Sequence, residues 1–280
     1  MTLSEIPVQK LKTGGEMPII GFGTWDLGDD LRKSVKSALD VGYTFIDTAE
    51  GYRNEAEIGE VLQDYDREEL FLSSKVLPSN LNYGNVLEAC NRTLDKLGTS
   101  YLDLYLIHWP NPAISLRETL LAFKKLYESD RVKNIGVSNF NKYQLKVAER
   151  ISEVPISVNQ VEFQPWYHNE DLLSYCIDQD IVLTAAAPLA RTAVLDDDLI
   201  QELSDKYDRS PAQIVLRWGM QKKVITIPRS SSKDHIKENF HALDFELESP
   251  DVERIDNIPK EQRTEKYVID FDDEYFGIPA

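Results

Sequence analysis

The chain has 280 residues, a formal charge of −17 and a hydrophobic content of 42%. That length suits one α/β barrel, which runs near 250 residues, so a single domain over 1–280 is expected. So large a negative charge argues against nucleic acid or an anionic membrane as partner, and no apolar run approaches membrane-spanning length.

The acidic residues are spread along the chain and read as a solvated surface, with adaptation to high salt as the alternative. The N-terminus lacks the apolar segment of an export leader. Cys90 and Cys176 lie in helix-like stretches and read as small core residues, not as a disulfide framework. A soluble, cytoplasmic, monomeric protein acting on a small molecule is the expectation.

In chain order, Val8–Leu11 and Met17–Ile19 flank Thr13-Gly14-Gly15-Glu16, a hairpin signal. Eight short apolar runs follow: Ile19–Gly21, Thr44–Ile46, Leu70–Leu72, Leu104–Ile107, Asn134–Val137, Ser157–Val161, Ile181–Thr184 and Val224–Ile227. Each precedes a stretch with helical spacing. Val86, Ala89, Cys90, Leu94 and Leu97 mark one apolar face; Leu120, Leu121, Lys124 and Tyr127 mark a weaker one. Eight β-then-α units favour a closed (β/α)8 TIM barrel over an open sheet. The stretch from Gln262 to Ala280 is polar, aromatic and aperiodic, and is read as a loop over the barrel mouth, with a disordered tail as the alternative.

Three of the runs end in ionisable side chains. Tyr43–Ile46 delivers Asp47, Leu70–Ser74 delivers Lys75, and Leu102–Ile107 delivers His108 followed by Trp109. In a barrel of parallel strands all C-terminal ends share one face, where the chemistry sits. The three groups therefore share one pocket, which points to an enzyme.

Asp47, Tyr52, Lys75 and His108, in these surroundings, resemble the aldo-keto reductase superfamily. The resemblance covers the whole chain and rests on Gly21-Phe22-Gly23-Thr24-Trp25, on the segment from Gly42 to Glu55, and on Leu102 to Pro110. It continues through Ile135–Phe140, Val158–Phe163 and Ile227–Ser230. It implies a barrel that binds NAD(P)H in extended form at its mouth and reduces aldehydes or ketones to alcohols. The four side chains suit that chemistry. Hydride reaching a carbonyl carbon leaves an alkoxide that needs a proton and a stabilising field. Tyr52 can supply the proton, but a free phenol near pKa 10 is a poor acid at neutral pH. A neighbouring Lys75 ammonium favours the phenolate, Asp47 holds Lys75, and His108 orients the carbonyl oxygen. Singly, each residue is more simply a surface or core side chain; together at strand ends they read as catalytic.

The run Gly21–Asp26 is only a near miss to the dinucleotide fingerprint, so a Rossmann fold is not supported. By resemblance, Ser138, Asn139 and Gln160 bind the nicotinamide carboxamide, although Ser138-Asn139 could instead cap the following helix. The resemblance also assigns cofactor contacts to Gly23, Thr24, Trp25, Asp47, Ala187, Leu189 and Arg191, and then to Arg229, Ser230, Ser231, His235, Glu238 and Asn239. Two positions depart from the family pattern. Ala186 stands where an aromatic usually stacks on the nicotinamide, with Arg191 as new charge nearby. His235 stands where NADPH-preferring members place an arginine. Arg229, Ser230, Ser231 and Lys233 still offer donors to a 2′-phosphate, unless the two cations are ordinary surface charges. The expectation is NADP(H), with NAD(H) also usable. Trp25, Tyr52, His108 and Trp109 form the substrate wall, and Trp166 either joins it or packs under its loop. His108, His168, His235 and His241 show no metal-ligand spacing. Two other readings are a barrel without turnover and a Schiff-base enzyme using Lys75; the second leaves Ser138, Asn139 and Gln160 idle.

Overall fold

A computed structural model describes residues 6–259. Strands β1 (Val8–Lys10) and β2 (Glu16–Pro18) pair antiparallel. Their turn needs two residues with φ near +90°, met by Gly14 at 89° and Gly15 at 87°. Leu11 and Met17 from this hairpin join Phe45, Phe71, Leu104 and Val158 in the barrel's interior core, so the hairpin stoppers one end. Phe45 and Phe71 meet edge to face at 5.1 Å, the favoured geometry for two aromatic rings.

Eight parallel strands follow: β3 (Phe22–Gly23), β4 (Phe45–Asp47), β5 (Phe71–Val76), β6 (Leu104–Ile107), β7 (Ile135–Ser138), β8 (Ile156–Glu162), β9 (Val182–Ala186) and β10 (Val224–Thr226). Each pairs with the next in sequence. The first and last are joined as well. Thr226 N donates to Ile19 O at 3.1 Å, Gly21 N to Thr226 O at 2.9 Å, and Gly23 N to Pro228 O at 3.0 Å. The ring is closed, as eight βα units require.

The helices are α1 (Leu31–Val41), α2 (Glu55–Leu62), α3 (Tyr83–Leu97), α4 (Leu116–Glu128), α5 (Lys142–Ile151), α6 (Glu170–Asp178), α7 (Asp198–Tyr207), α8 (Pro211–Gln221), α9 (Lys233–Phe240) and α10 (Ser249–Asp256). They pack on the outward strand residues in a second, larger core layer. The expected α3 face is wholly buried. In α4 the buried stripe is instead Leu120, Phe123 and Leu126, and Leu121 is exposed, because a 3.6-residue period carries position 121 off the stripe.

The first barrel strand also differs from the expected Ile19–Gly21. That stretch bonds to the β10 side and, through Ile19 N, to the Pro7 carbonyl at 3.0 Å, and laddering against β4 starts at Phe22, opposite Ile46. The expected loop from Gln262 onward lies outside the described residues.

Candidate active site

With the hairpin filling one end, the C-terminal ends of β4, β5 and β6 open at the other. Side chains alternate across a strand, so Phe71, Ser73 and Lys75 point inward while Leu72 and Ser74 point out. Lys75 is fully buried and Asp47 nearly so. Lys75 Nζ donates to Asp47 Oδ1 at 2.6 Å, to the Thr48 carbonyl at 2.9 Å and to Tyr52 OH at 3.3 Å. An ammonium has three protons, and here each has an acceptor. Burial alone would pull the ammonium down, but Asp47, and then Tyr52, outweighs it and holds Lys75 above its ordinary range. It stays charged. The other Asp47 oxygen accepts from Ser73 Oγ at 3.0 Å and Gln160 Nε2 at 2.9 Å.

Tyr52 closes a one-turn 3-10 segment, Glu50–Tyr52, between β4 and α2. Its ring meets the His108 imidazole edge to face, centroids 5.6 Å apart. Burial holds His108 well below its usual range and Lys75 pushes it further down, so the imidazole is neutral. The structure thus brings Asp47, Tyr52, Lys75 and His108 together in one cluster.

Ser138, Asn139 and Gln160 sit beside that cluster. Asn139 adopts φ 63° and donates from Nδ2 to the His108 carbonyl at 2.9 Å and to Ser138 Oγ at 3.1 Å. Ser138 Oγ donates to the Gln160 carbonyl at 2.8 Å. The cap of α5 is Asn141, in a reciprocal box with Gln144. Capping therefore does not explain Ser138-Asn139, and the left-handed Asn139 is the kind of backbone found at functional sites.

Gly23 and the buried Thr24 continue the rim next to β4, with Thr24 Oγ1 donating to the Asp47 carbonyl at 2.9 Å. Asn54 links Thr24 to Thr48, a connection not visible from spacing. Over the Trp25 ring lie two guanidiniums, Arg191 at 5.0 Å and Arg229 at 4.8 Å. Arg229 also donates to the Asp26 carbonyl at 2.9 Å. Burial, and then Arg191, holds Arg229 below its usual range, with Asp26 opposing. Asp26 Oδ2, 3.7 Å from the Arg229 guanidinium, balances part of that charge.

After β9 the chain turns through Ala187, Ala190, Arg191 and Thr192, all with φ between 46° and 78°, and the partly buried Leu189 packs on the core. Non-glycine residues in this region cost about 1–3 kcal/mol each. Ser230, Ser231 and the exposed His235 stand at the start of α9, where Ser232 caps the helix through His235 N. Glu238 and the buried Asn239 lie further along it.

Trp109 is buried and, with Asn139, Phe163, Tyr143 and Tyr167, lines a cavity of about 790 Å³ among the loops before α4, α5 and α6. Asp47, Tyr52, Lys75 and His108 do not line it. Trp166 packs beneath its loop and donates to Asp197 at 2.9 Å. Sequence spacing also missed a meeting of His168, Glu170 and Asp256. Lys222 Nζ lies 2.8 Å from both of those carboxylates and supplies the balancing charge.

The sequence matches the Aldo/keto reductase family over residues 19–260. The chain is an aldo/keto reductase. Glyoxal reductase of Bacillus subtilis is 40% identical to this aldo/keto reductase, over 91% of this chain and 93% of the relative. The NADP-dependent D-sorbitol-6-phosphate dehydrogenase of Malus domestica is 34% identical over 91% and 94%. The aldose reductase of Schistosoma japonicum has a similar structure, with a TM-score of 0.88, 32% identity and coverage of 92% and 94%. This aldo/keto reductase is thus an oxidoreductase of a family that works with nicotinamide cofactors on carbonyl compounds. Among the described residues no helix is long and apolar enough to cross a membrane.

Proposed function

We propose that this enzyme reduces a small aldehyde or ketone to the alcohol, with Tyr52 as proton donor and NADPH as the preferred reductant. The observation that carries the proposal is the chain Asp47–Lys75–Tyr52, with contacts of 2.6 and 3.3 Å running from the buried Asp47 and Lys75 to a half-buried Tyr52. A reduced nicotinamide supplies hydride when bound. Tyr52 gives its proton to the carbonyl oxygen as negative charge develops there. Lys75, fixed in its charged form, favours the phenolate left behind, and Asp47 keeps the ammonium aimed. His108, neutral, offers an N–H to the same oxygen and fixes the carbonyl against Tyr52.

The donor set fits a dinucleotide. Ser138, Asn139 and Gln160 hold the carboxamide, and Asp47, Gly23, Thr24 and Trp25 border the ring. The arginines over Trp25 take phosphate charge, with Ala187 and Leu189 in the loop beside them. Arg229, Ser230, Ser231 and the N-terminus of α9 face a 2′-phosphate, with His235, Glu238 and Asn239 along the helix. Since His235 lacks a fixed charge, NADH remains usable. Trp25, Tyr52, His108 and Trp109 bound the substrate, and the enzyme works as a monomer in the cytoplasm.

Quenching of nicotinamide fluorescence tests cofactor binding directly. Tyr52→Phe lowers turnover of a short aldehyde by at least about a hundredfold with cofactor affinity little changed. Lys75→Met combined with Tyr52→Phe is scarcely worse than either alone, since the two form one unit. Retention of most activity by Tyr52→Phe overturns the assignment.

A further inference from the structure

We propose that Glu50 is a positioning residue that sets the Lys75–Tyr52 contact by tying together the two chain segments that carry them. The inference rests on the carbonyl-reductase reading above. Glu50 opens the 3-10 turn that ends at Tyr52, two residues away. Leu77 lies two residues past Lys75, and its N–H donates to Glu50 Oε2 at 3.0 Å. Asn80 Nδ2, in the same loop, donates to Oε1 at 2.9 Å, and Arg92 of α3 to Oε1 at 3.2 Å. One carboxylate therefore ties the Tyr52 turn to the Lys75 strand and braces both on a helix.

The surrounding backbone is shaped for this contact. A Cβ on Gly51 would stand 3.0 Å from Leu77 Cδ2 and 3.9 Å from His108 Nδ1, so the turn lies close against the loop and any side chain at 51 would have to push the Leu77 side chain aside. Arg53, directly after Tyr52, sits at φ 57°, a conformation that costs energy and persists only when its neighbours hold it. The Glu50 side chain is 11% exposed, so its bonds are partly shielded from water. An acid is required because two separate oxygens accept; glutamine offers one.

Glu50 touches no reacting atom. Among the described residues, the charged and titratable groups facing Tyr52 include Lys75 from β5, with Asp47 of β4 behind it, and His108 just after β6. Among the described residues, those facing Glu50 are Arg92, with Glu88 3.9 Å beyond it, and the buried Tyr105 phenol of β6, which the Glu50 charge helps to keep protonated. Loosening the tie lengthens the Nζ–OH contact and weakens the pull of the cation on the phenol. Reduction needs the protonated phenol, so its loss at high pH then sets in later, while the alkoxide at neutral pH meets a worse donor.

The test compares wild type with Glu50→Gln, Glu50→Ala, Asn80→Ala and the Glu50→Ala/Asn80→Ala double variant, using NADPH and a short aldehyde. Glu50→Ala lowers kcat about tenfold, the scale of a slight misplacement of reacting groups, with cofactor Kd within about twofold. Its basic limb in kcat moves up by about half a pH unit or more as the cation–phenol pairing weakens. Asn80→Ala and Glu50→Gln lie between, and the double variant is no worse than Glu50→Ala because the pair shares one function. A crystal structure of Glu50→Ala shows Lys75 Nζ beyond hydrogen-bond reach of Tyr52. A folded variant with kcat, pH limb and that distance unmoved overturns the proposal, as does a loss confined to cofactor affinity or thermal stability. Wild type unable to reduce the aldehyde defeats the functional reading instead, and the Nζ–OH distance in Glu50→Ala still decides the positioning role.

Discussion

Burial and the Lys75 ammonium hold His108 well below its usual range, and this has a stability consequence. In the native state the imidazole stays neutral, whereas in the unfolded chain it protonates near pH 6.5. Below that pH the unfolded state binds the extra proton, so stability is full above it and falls as pH drops, by at most about 1.4 kcal/mol per pH unit. His108→Gln should flatten the fall between pH 7 and 5; His168, His235 and His241 remain in both proteins and cancel. Denaturant titrations at three pH values measure the difference, and parallel curves would show that His108 is not desolvated. At this scale the sequence shows which residue types end the strands, and all four expected side chains meet. What it hides is how each is held. Ser73, two residues before Lys75, and Gln160, far along the chain, both donate to Asp47. Alternation along β5 points to Ser73, but only the closed ring brings Gln160 to Asp47.

Among the elements, α9 carries the test of cofactor choice. Its first residues are capped by Ser232, and His235 is exposed at the third position. A bidentate, permanently charged arginine suits a phosphate dianion better than an imidazole. His235→Arg should raise kcat/KM with NADPH about fivefold or more, a fraction of a charged hydrogen bond's worth, with NADH nearly unchanged. A wild-type ratio already far in favour of NADPH, and unmoved by the substitution, would show that Arg229 and the serines suffice. The elements themselves were legible wherever apolar runs and turn signals coincide, as in the hairpin and β4 to β10. The β3 boundary was not, because Ile19–Gly21 looks like any strand and what sets it apart is that the ladder to β4 begins only at Phe22. The four left-handed residues between Ala187 and Thr192 leave no mark in composition either. None is glycine, and tertiary packing imposes the conformation.

At the scale of the whole molecule, the charge of −17 meets a cofactor that is itself an anion. Repulsion from the distributed acids is long-ranged, while the Arg191–Arg229 pair acts close in. Added salt screens the first more than the second, since the Debye length is about 8 Å at physiological ionic strength. The association rate of NADPH should therefore rise about two- to threefold from low salt to physiological ionic strength, the reverse of a basic, steering site. Stopped-flow quenching at several salt concentrations reads it, and a falling rate would show that the arginines dominate from the start. The architecture was legible because eight repeats leave few ways to bury so many apolar strands; how the ring shuts was not, since that depends on three backbone bonds from Ile19, Gly21 and Gly23 to Thr226 and Pro228. That seam divides the mouth in time as well as in space. On the ribosome Asp47, Tyr52, Lys75 and His108 are all synthesised before Arg229, whose place over Trp25 exists only once the ring has shut.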